Sequence, residues 1–253
     1  MEGYPKGQRV TFNIKNFNKQ CRLLKEGMLP VYKSVPSMTE YRRVTGPTFN
    51  IEQNQETKKM QFSFCFEFPN NDDTQIYFAY TFPWSLNDTE IYINDLFKQN
   101  ENNREIYLHK ELIMNSPEGR PMDLITLTSY TGITGEKEPN IATLFPENDR
   151  PYKFLGKEYV WVSCRVHPGE VPASHMLNGL FRYLLKTDPK IGTLKEDTRI
   201  KMILDNFVFL IVPHLNPDGV YRGHYRVSTY GQNLNRWYKD PTMAQHPSCY
   251  MTN

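Results

Sequence analysis

The chain has 253 residues, 39% hydrophobic and 13% aromatic, enough apolar side chains for one large core or two modest ones. Its 30 basic and 28 acidic residues leave a net charge of +2, which removes any global electrostatic case for nucleic acid or membrane as partner. No run nears the roughly 18 apolar residues of a membrane span, "MEGYPKGQRV" lacks the apolar core of a secretory signal, and Cys21, Cys65, Cys164 and Cys249 lie far apart without CxxC spacing, so the expectation is a soluble cytosolic protein with reduced thiols.

From Val10 to Phe82 the pattern has period two. It is clearest in "MQFSFCFEF", where Met60, Phe62, Phe64, Phe66 and Phe68 alternate with Gln61, Ser63, Cys65 and Glu67, as a half-buried strand requires. With "VTFNIKNF" before it and "QIYFAYTF" after it, this predicts an antiparallel β-sandwich domain over residues 1 to about 101. "SLNDTEIYINDLFKQ" reads as its closing helix, capped near Asn87 or Asp88, and "NENNRE" as the linker to a second domain, residues 102–253. There "IYLHKELIM" and "MDLITLTS" flank the turn-forming "NSPEGRP" and predict a hairpin. "EYVWVSCRV", the helical repeat of Ala173, Leu177, Leu180, Phe181, Leu184 and Leu185, and "NFVFLIVPHL" then make a strand, helix and strand, hence an α/β domain whose two strands are parallel.

Ligands of open α/β sheets bind beyond the carboxyl ends of the strands. His167 stands at one such end and "LNPDG" at the next. In "HPGE" the imidazole of His167 and the carboxylate of Glu170 can converge as a metal pair, or the motif is a turn that leaves Glu170 at a helix N-terminus. Between Gly219 and Lys239 the chain carries Arg222, Arg226, Arg236 and Lys239 and no acidic residue. That field suits an anionic substrate end gripped by arginine forks and Asn235, a solvated basic loop, or a nucleic-acid stacking surface built on Tyr221, Tyr225, Tyr230, Trp237 and Tyr238. A catalytic zinc needs a third ligand, for which His246 is the candidate. The competing closed site is Cys164, His167, His246 and Cys249, which strand alternation between Cys164 and His167 opposes. His175 and His214 read as structural or surface histidines.

The ordered series HPGE, NPDGV, GHYR, NLNR and HP, running from His167 to Pro247, resembles the cytosolic carboxypeptidases of the zinc carboxypeptidase superfamily. The resemblance covers nearly the whole chain and is densest from Tyr107 to Tyr250. It implies a β-sandwich N-domain ahead of a zinc-carboxypeptidase α/β domain with a mixed central sheet. It also implies one Zn2+ held by His167, Glu170 and His246, Arg226 stabilising the oxyanion, and Asn235 and Arg236 holding the substrate's terminal carboxylate. The implied activity is removal of glutamate from protein C-termini or polyglutamate side chains, with tubulin tails as partners. The implied setting is a cytosolic monomer, associated with microtubules or cilia and engaging neither nucleic acid nor membrane. The family's general-base glutamate follows the second histidine at a distance greater than the seven residues from His246 to Asn253. A chain lacking that base, and some sandwich strands before "FNIKNF", is expected to bind zinc and acidic tails without cleaving them and to leave a sheet edge unpaired.

Overall fold

The computed structural model describes residues 6–17, 21–45, 49–73, 75–147, 149–185 and 198–252. The chain divides into two compact units, Met1–Pro83 and Trp84–Asn253. Cys65, Cys164 and Cys249 are free thiols, and the Cys21 side chain lies outside the described set.

The first unit contains β1 (Arg9–Phe17), the short helix α1 (Cys21–Lys25), β2 (Val31–Val35), β3 (Met38–Arg43), β4 (Phe49–Gln53), β5 (Met60–Glu67) and β6 (Gln75–Ala79). These strands make two three-stranded antiparallel sheets, ordered β1-β5-β4 and β3-β2-β6. The alternating phenylalanines supply the layer between them: Phe62, Phe64, Phe66 and Phe68 are buried with Ile76 of the other sheet, and half-buried Phe12 of β1 and Tyr32 and Phe78 of the other sheet pack against them. Phe66 meets Tyr32 edge-on at 4.7 Å and Phe78 at 4.9 Å. Burying one such ring is worth roughly 1.5–3 kcal/mol, and a one-residue slip of β5 would expose the whole row, so the alternation also sets the register. This is the expected sandwich, with β5 and β6 in opposite sheets.

The second unit contains α2 (Leu86–Asn100), β7 (Ile106–Asn115), β8 (Pro121–Ser129), β9 (Ile133–Lys137), β10 (Tyr152–Phe154), β11 (Glu158–Ser163), α3 (Pro172–Leu184), α4 (Thr198–Asn206), β12 (Phe207–Val212), α5 (Pro217–Arg222) and α6 (Pro247–Tyr250). The main sheet is mixed, in the order β11-β12-β8-β7, with β11 and β12 parallel and the other pairings antiparallel. The β7–β8 hairpin closes over "NSPEGRP", with Gly119 at φ +79°. On one face Ile93 and Leu96 of α2, Leu177, Phe181 and Leu184 of α3, and Ile200 and Leu204 of α4 pack on Ile106, Ile125, Leu127 and Ile211. Pro172 occupies the first turn of α3, where its missing N–H costs nothing.

Two expectations change. The unit boundary falls between Pro83 and Trp84, so α2 opens the second unit and does not close the first. The reason is its apolar stripe, whose Ile93 and Leu96 belong to the core under the mixed sheet. Its N-cap is Ser85, in a capping box with Asp88, so Asp88 is the third helical residue and not the cap. At the other side of the sheet, β11 pairs with β12 alone among the described strands, and Tyr159 and Trp161 are 49% and 40% exposed along it.

Candidate metal and anion site

The parallel ladder runs slightly past β11: Cys164 N–H donates to Val212 O at 3.0 Å and Leu215 N–H to Cys164 O at 2.9 Å. Arg165 then adopts a left-handed φ of +56° and turns the chain out of the strand. Its guanidinium, 4% exposed, donates to Pro168 O through Nε at 2.9 Å and Nη2 at 2.6 Å. Nη1 donates to Ser174 Oγ at 2.9 Å and Trp84 O at 3.1 Å. Burial pushes Arg165 down to about 10, which still leaves it cationic at neutral pH. Because the strand ends before His167, its alternation cannot decide against the closed cysteine site. The thiols argue against it themselves. Cys164 Sγ points to Ala173 O at 3.5 Å and Cys249 Sγ to Leu234 O at 3.3 Å. Burial raises both thiols, Cys249 to about 11.

The middle of "HPGE" is set by contact with the other motifs. A Cβ on Gly219 of "NPDG" would lie 2.3 Å from Pro168 Cγ, so only glycine lets α5 approach this ring. Gly169 N–H donates to Tyr225 O at 2.8 Å, and a Cβ there would come within 2.6 Å of the Tyr225 ring. Asn216 caps α5 by accepting Gly219 N–H at 3.0 Å, while its Nδ2 donates to Val166 O at 3.4 Å and Val227 O at 3.3 Å. Asp218, 2% exposed, accepts from Ser116 Oγ at 2.6 Å, Arg120 Nη1 at 2.8 Å and Glu118 N–H at 3.1 Å. Glu118 pairs with Arg222 at 2.5 Å and Arg120 at 2.6 Å and accepts from Thr229. Arg222 foremost holds the Glu118 carboxyl at about 2. The β7–β8 turn is thereby tied to the basic loop, and Arg222 is neutralised there, which leaves Arg226, Arg236 and Lys239 to make its field.

His167 is 4% exposed, with Nδ1 2.8 Å from Glu170 Oε1 and Nε2 3.0 Å from Asn233 Oδ1. Asn233 Oδ1 also accepts Asn235 N–H at 3.2 Å, which identifies that atom as the oxygen. Both ring nitrogens therefore face acceptors, whereas a neutral imidazole has one N–H. Donation from Nε2 to Asn233 leaves a lone pair on Nδ1 beside a carboxylate, and together they are a donor pair that would suit a metal cation. His167 and Glu170 thus fit zinc, with Asn233 as the partner that orients the ring. Asn233 went unnoticed in the sequence because only the last two residues of "NLNR" read as substrate contacts.

Glu170 Oε1 also lies 3.8 Å from Arg226 Nη1, so Arg226 is at the site. Asn235 and Arg236 follow Asn233 on a single 3-10 turn, Leu234–Arg236; both are exposed, and Arg236 Nη1 donates back to Asn235 O at 2.9 Å. His246 is the residue the structure does not bring to the pair. Among the described residues no three His, Cys, Asp or Glu side chains gather as a metal group. The His246 ring, 1% exposed, stacks on Trp237 at 4.1 Å and accepts Thr242 N–H at Nδ1 at 3.2 Å, while Nε2 is buried without a partner. Burial lowers its pKa and so keeps it neutral, the form a metal needs.

Comparison with known proteins agrees with the motif order. The chain is 36% identical over 261 residues to the rat (Rattus norvegicus) protein named cytosolic carboxypeptidase-like protein 5, covering 99% of this chain and 30% of the relative. It is 32% identical to mouse (Mus musculus) cytosolic carboxypeptidase 6, covering 96% of this chain and 39% of the relative. It therefore spans about 30–40% of the length of these relatives. The putative carboxypeptidase A of Shewanella denitrificans matches in structure with a TM-score of 0.66 at 24% identity, over 99% of this chain and 53% of that one, a likeness of fold. The zinc carboxypeptidase model matches residues 93–251, a stretch that holds the mixed sheet, the HPGE turn and the basic loop. With more than half of its length so matched, the chain belongs to the zinc carboxypeptidase family.

Proposed function

We propose that this chain supplies the zinc-binding and carboxylate-binding part of a cytosolic metallocarboxypeptidase that removes glutamate from protein C-termini or polyglutamate side chains, with tubulin tails as substrate. The observation that carries this reading is the His167–Glu170 contact at 2.8 Å with Arg226 at 3.8 Å from the same carboxylate. His167, Glu170 and His246 are assigned as ligands of one Zn2+, which when bound lowers the pKa of a water and polarises the scissile carbonyl. Arg226 is placed to stabilise negative charge developing at that carbonyl. Asn235 and Arg236, exposed beside the basic loop, grip a terminal carboxylate, which an internal peptide bond lacks. Arg226, Arg236 and Lys239 favour an acidic tail. The nucleic-acid reading is weaker because several of the loop aromatics are engaged: Trp237 on His246, Tyr221 under Arg120 at 3.8 Å, and Tyr225 against Gly169.

The second reading, a protein that binds zinc and acidic tails without cleaving, takes its support from a His167–Glu170 pair to which no third ligand is brought among the described residues, with Asn235 and Arg236 exposed. Glutamate release from a glutamylated tubulin-tail peptide, with and without a zinc chelator, separates the two. Release that the chelator abolishes supports the enzyme, and zinc-dependent peptide binding without release supports the second. Arg236→Ala should weaken peptide binding while zinc stays bound; if zinc is lost as well, Arg236 is structural and the substrate assignment fails.

A further inference from the structure

Arg165 differs from the other buried polar groups in its costly backbone geometry and in hydrogen bonds that go only to neutral partners. It is a β-carbon-bearing residue at φ +56°, 4% exposed, and among the described residues no carboxylate lies within ion-pair distance of it. A buried guanidinium normally takes a carboxylate, and a left-handed backbone normally takes glycine. Here the fork is spent on carbonyls and a hydroxyl. Nε and Nη2 converge on Pro168 O at 2.9 and 2.6 Å, and Nη1 reaches Ser174 Oγ in the first turn of α3 and Trp84 O just ahead of α2.

Pro168 O is the carbonyl directly after His167 and two residues before Glu170. Two charge-assisted donors on one oxygen fix both its position and its direction, which a single ammonium donor does not do. Gly219 closes on the ring of the same proline from α5, and Tyr225 O holds the next N–H, so the short turn is held from several sides. We propose that Arg165 is a positioning residue for the metal pair: by clamping Pro168 O it sets the separation and mutual aim of His167 and Glu170. This rests on the zinc reading above, since the role has meaning only if the pair holds a metal.

The test measures zinc affinity of the chain by competition with a chromogenic chelator, and the visible spectrum of the cobalt-substituted protein. Wild type, H167A, R165K and R165G are compared below the melting temperature of each. R165G accepts the left-handed backbone and leaves a guanidinium-sized space, and R165K keeps charge without the planar fork. We expect H167A to abolish binding. Both Arg165 variants should weaken zinc by roughly 10–100-fold, as displacing an outer partner of a metal ligand does, and should alter the cobalt spectrum. Free guanidinium, well below denaturing concentrations, should restore R165G but not H167A. Wild-type affinity in folded R165K or R165G overturns the proposal. So does a loss that guanidinium leaves untouched while the melting temperature falls, which would make Arg165 merely structural. If wild type itself takes up no zinc, the zinc reading fails first and this proposal falls with it.

Discussion

Gly219 and Gly179 both sit in helices, α5 and α3, and replacing either with alanine removes the same backbone penalty of about 1 kcal/mol. Their surroundings differ. At Gly179 a Cβ meets nothing within 4 Å; at Gly219 it would lie 2.3 Å from Pro168 Cγ and 2.8 and 2.9 Å from the Asn216 amide. Apolar carbons settle at about 3.5–4.0 Å, so Pro168 or α5 must move by more than about 1 Å. Overpacking of this kind costs about 1–3 kcal/mol, and displacing the Asn216 cap costs roughly a further 1 kcal/mol. Against the helix gain, Gly219→Ala should destabilise by about 1–3 kcal/mol, and Gly179→Ala should stabilise by up to about 1 kcal/mol. In a unit of this size each kcal/mol moves the melting temperature by roughly 2–4 °C. Calorimetry or thermal circular dichroism on the chain, following the transition of the second unit, should therefore show the two alanines shifting melting in opposite directions. A Gly219→Ala protein that melts at or above wild type, like Gly179→Ala, would refute the claim that "NPDG" carries glycine to admit the HPGE turn.

Other outcomes follow from the same geometry. Burial pushes His214 down to about 3 against an ordinary 6.5, so the folded state excludes a proton that the unfolded chain binds. Its contribution is present above pH 6.5 and is lost as pH falls toward 3; His214→Gln should flatten the fall in stability between about pH 6.5 and 4.5, and an unchanged slope by denaturant titration would contradict this. Asn233→Ala removes the acceptor of His167 Nε2–H and should weaken zinc by roughly 10–100-fold in chelator competition; undiminished affinity would show that Asn233 does not orient the ring. His246→Ala should reduce zinc stoichiometry, whereas Cys164→Ala and Cys249→Ala should leave it intact; equal loss from a cysteine variant would restore the closed-site alternative.

Legibility of the fold varied with how local its cause was. Alternation in "MQFSFCFEF" and the helical repeat from Ala173 to Leu185 reflect one-sided burial, which each segment records in its own period, so the sandwich, the hairpin and the parallel pair were all readable. The ownership of α2 was not, because its stripe of Ile93 and Leu96 says that it packs but not against which core. The end of β11 was missed for a related reason. "EYVWVSCRV" is uniformly strand-like, and at the turn the Arg165 guanidinium meets the nearby Pro168 carbonyl together with the Trp84 carbonyl and Ser174, which only the folded chain brings close.

By itself the sequence determined the two-part α/β architecture, the family motif order and the identity of candidate residues, since periodicity and motif spacing are written along the chain. Only the tertiary structure decided which of those residues meet. It joined the His167–Glu170 pair to Arg226 and Asn233 and spent Arg222 on Glu118. Hydrogen bonds and close packing between segments tens of residues apart are properties of the folded chain, and no local pattern encodes the partner of a side chain.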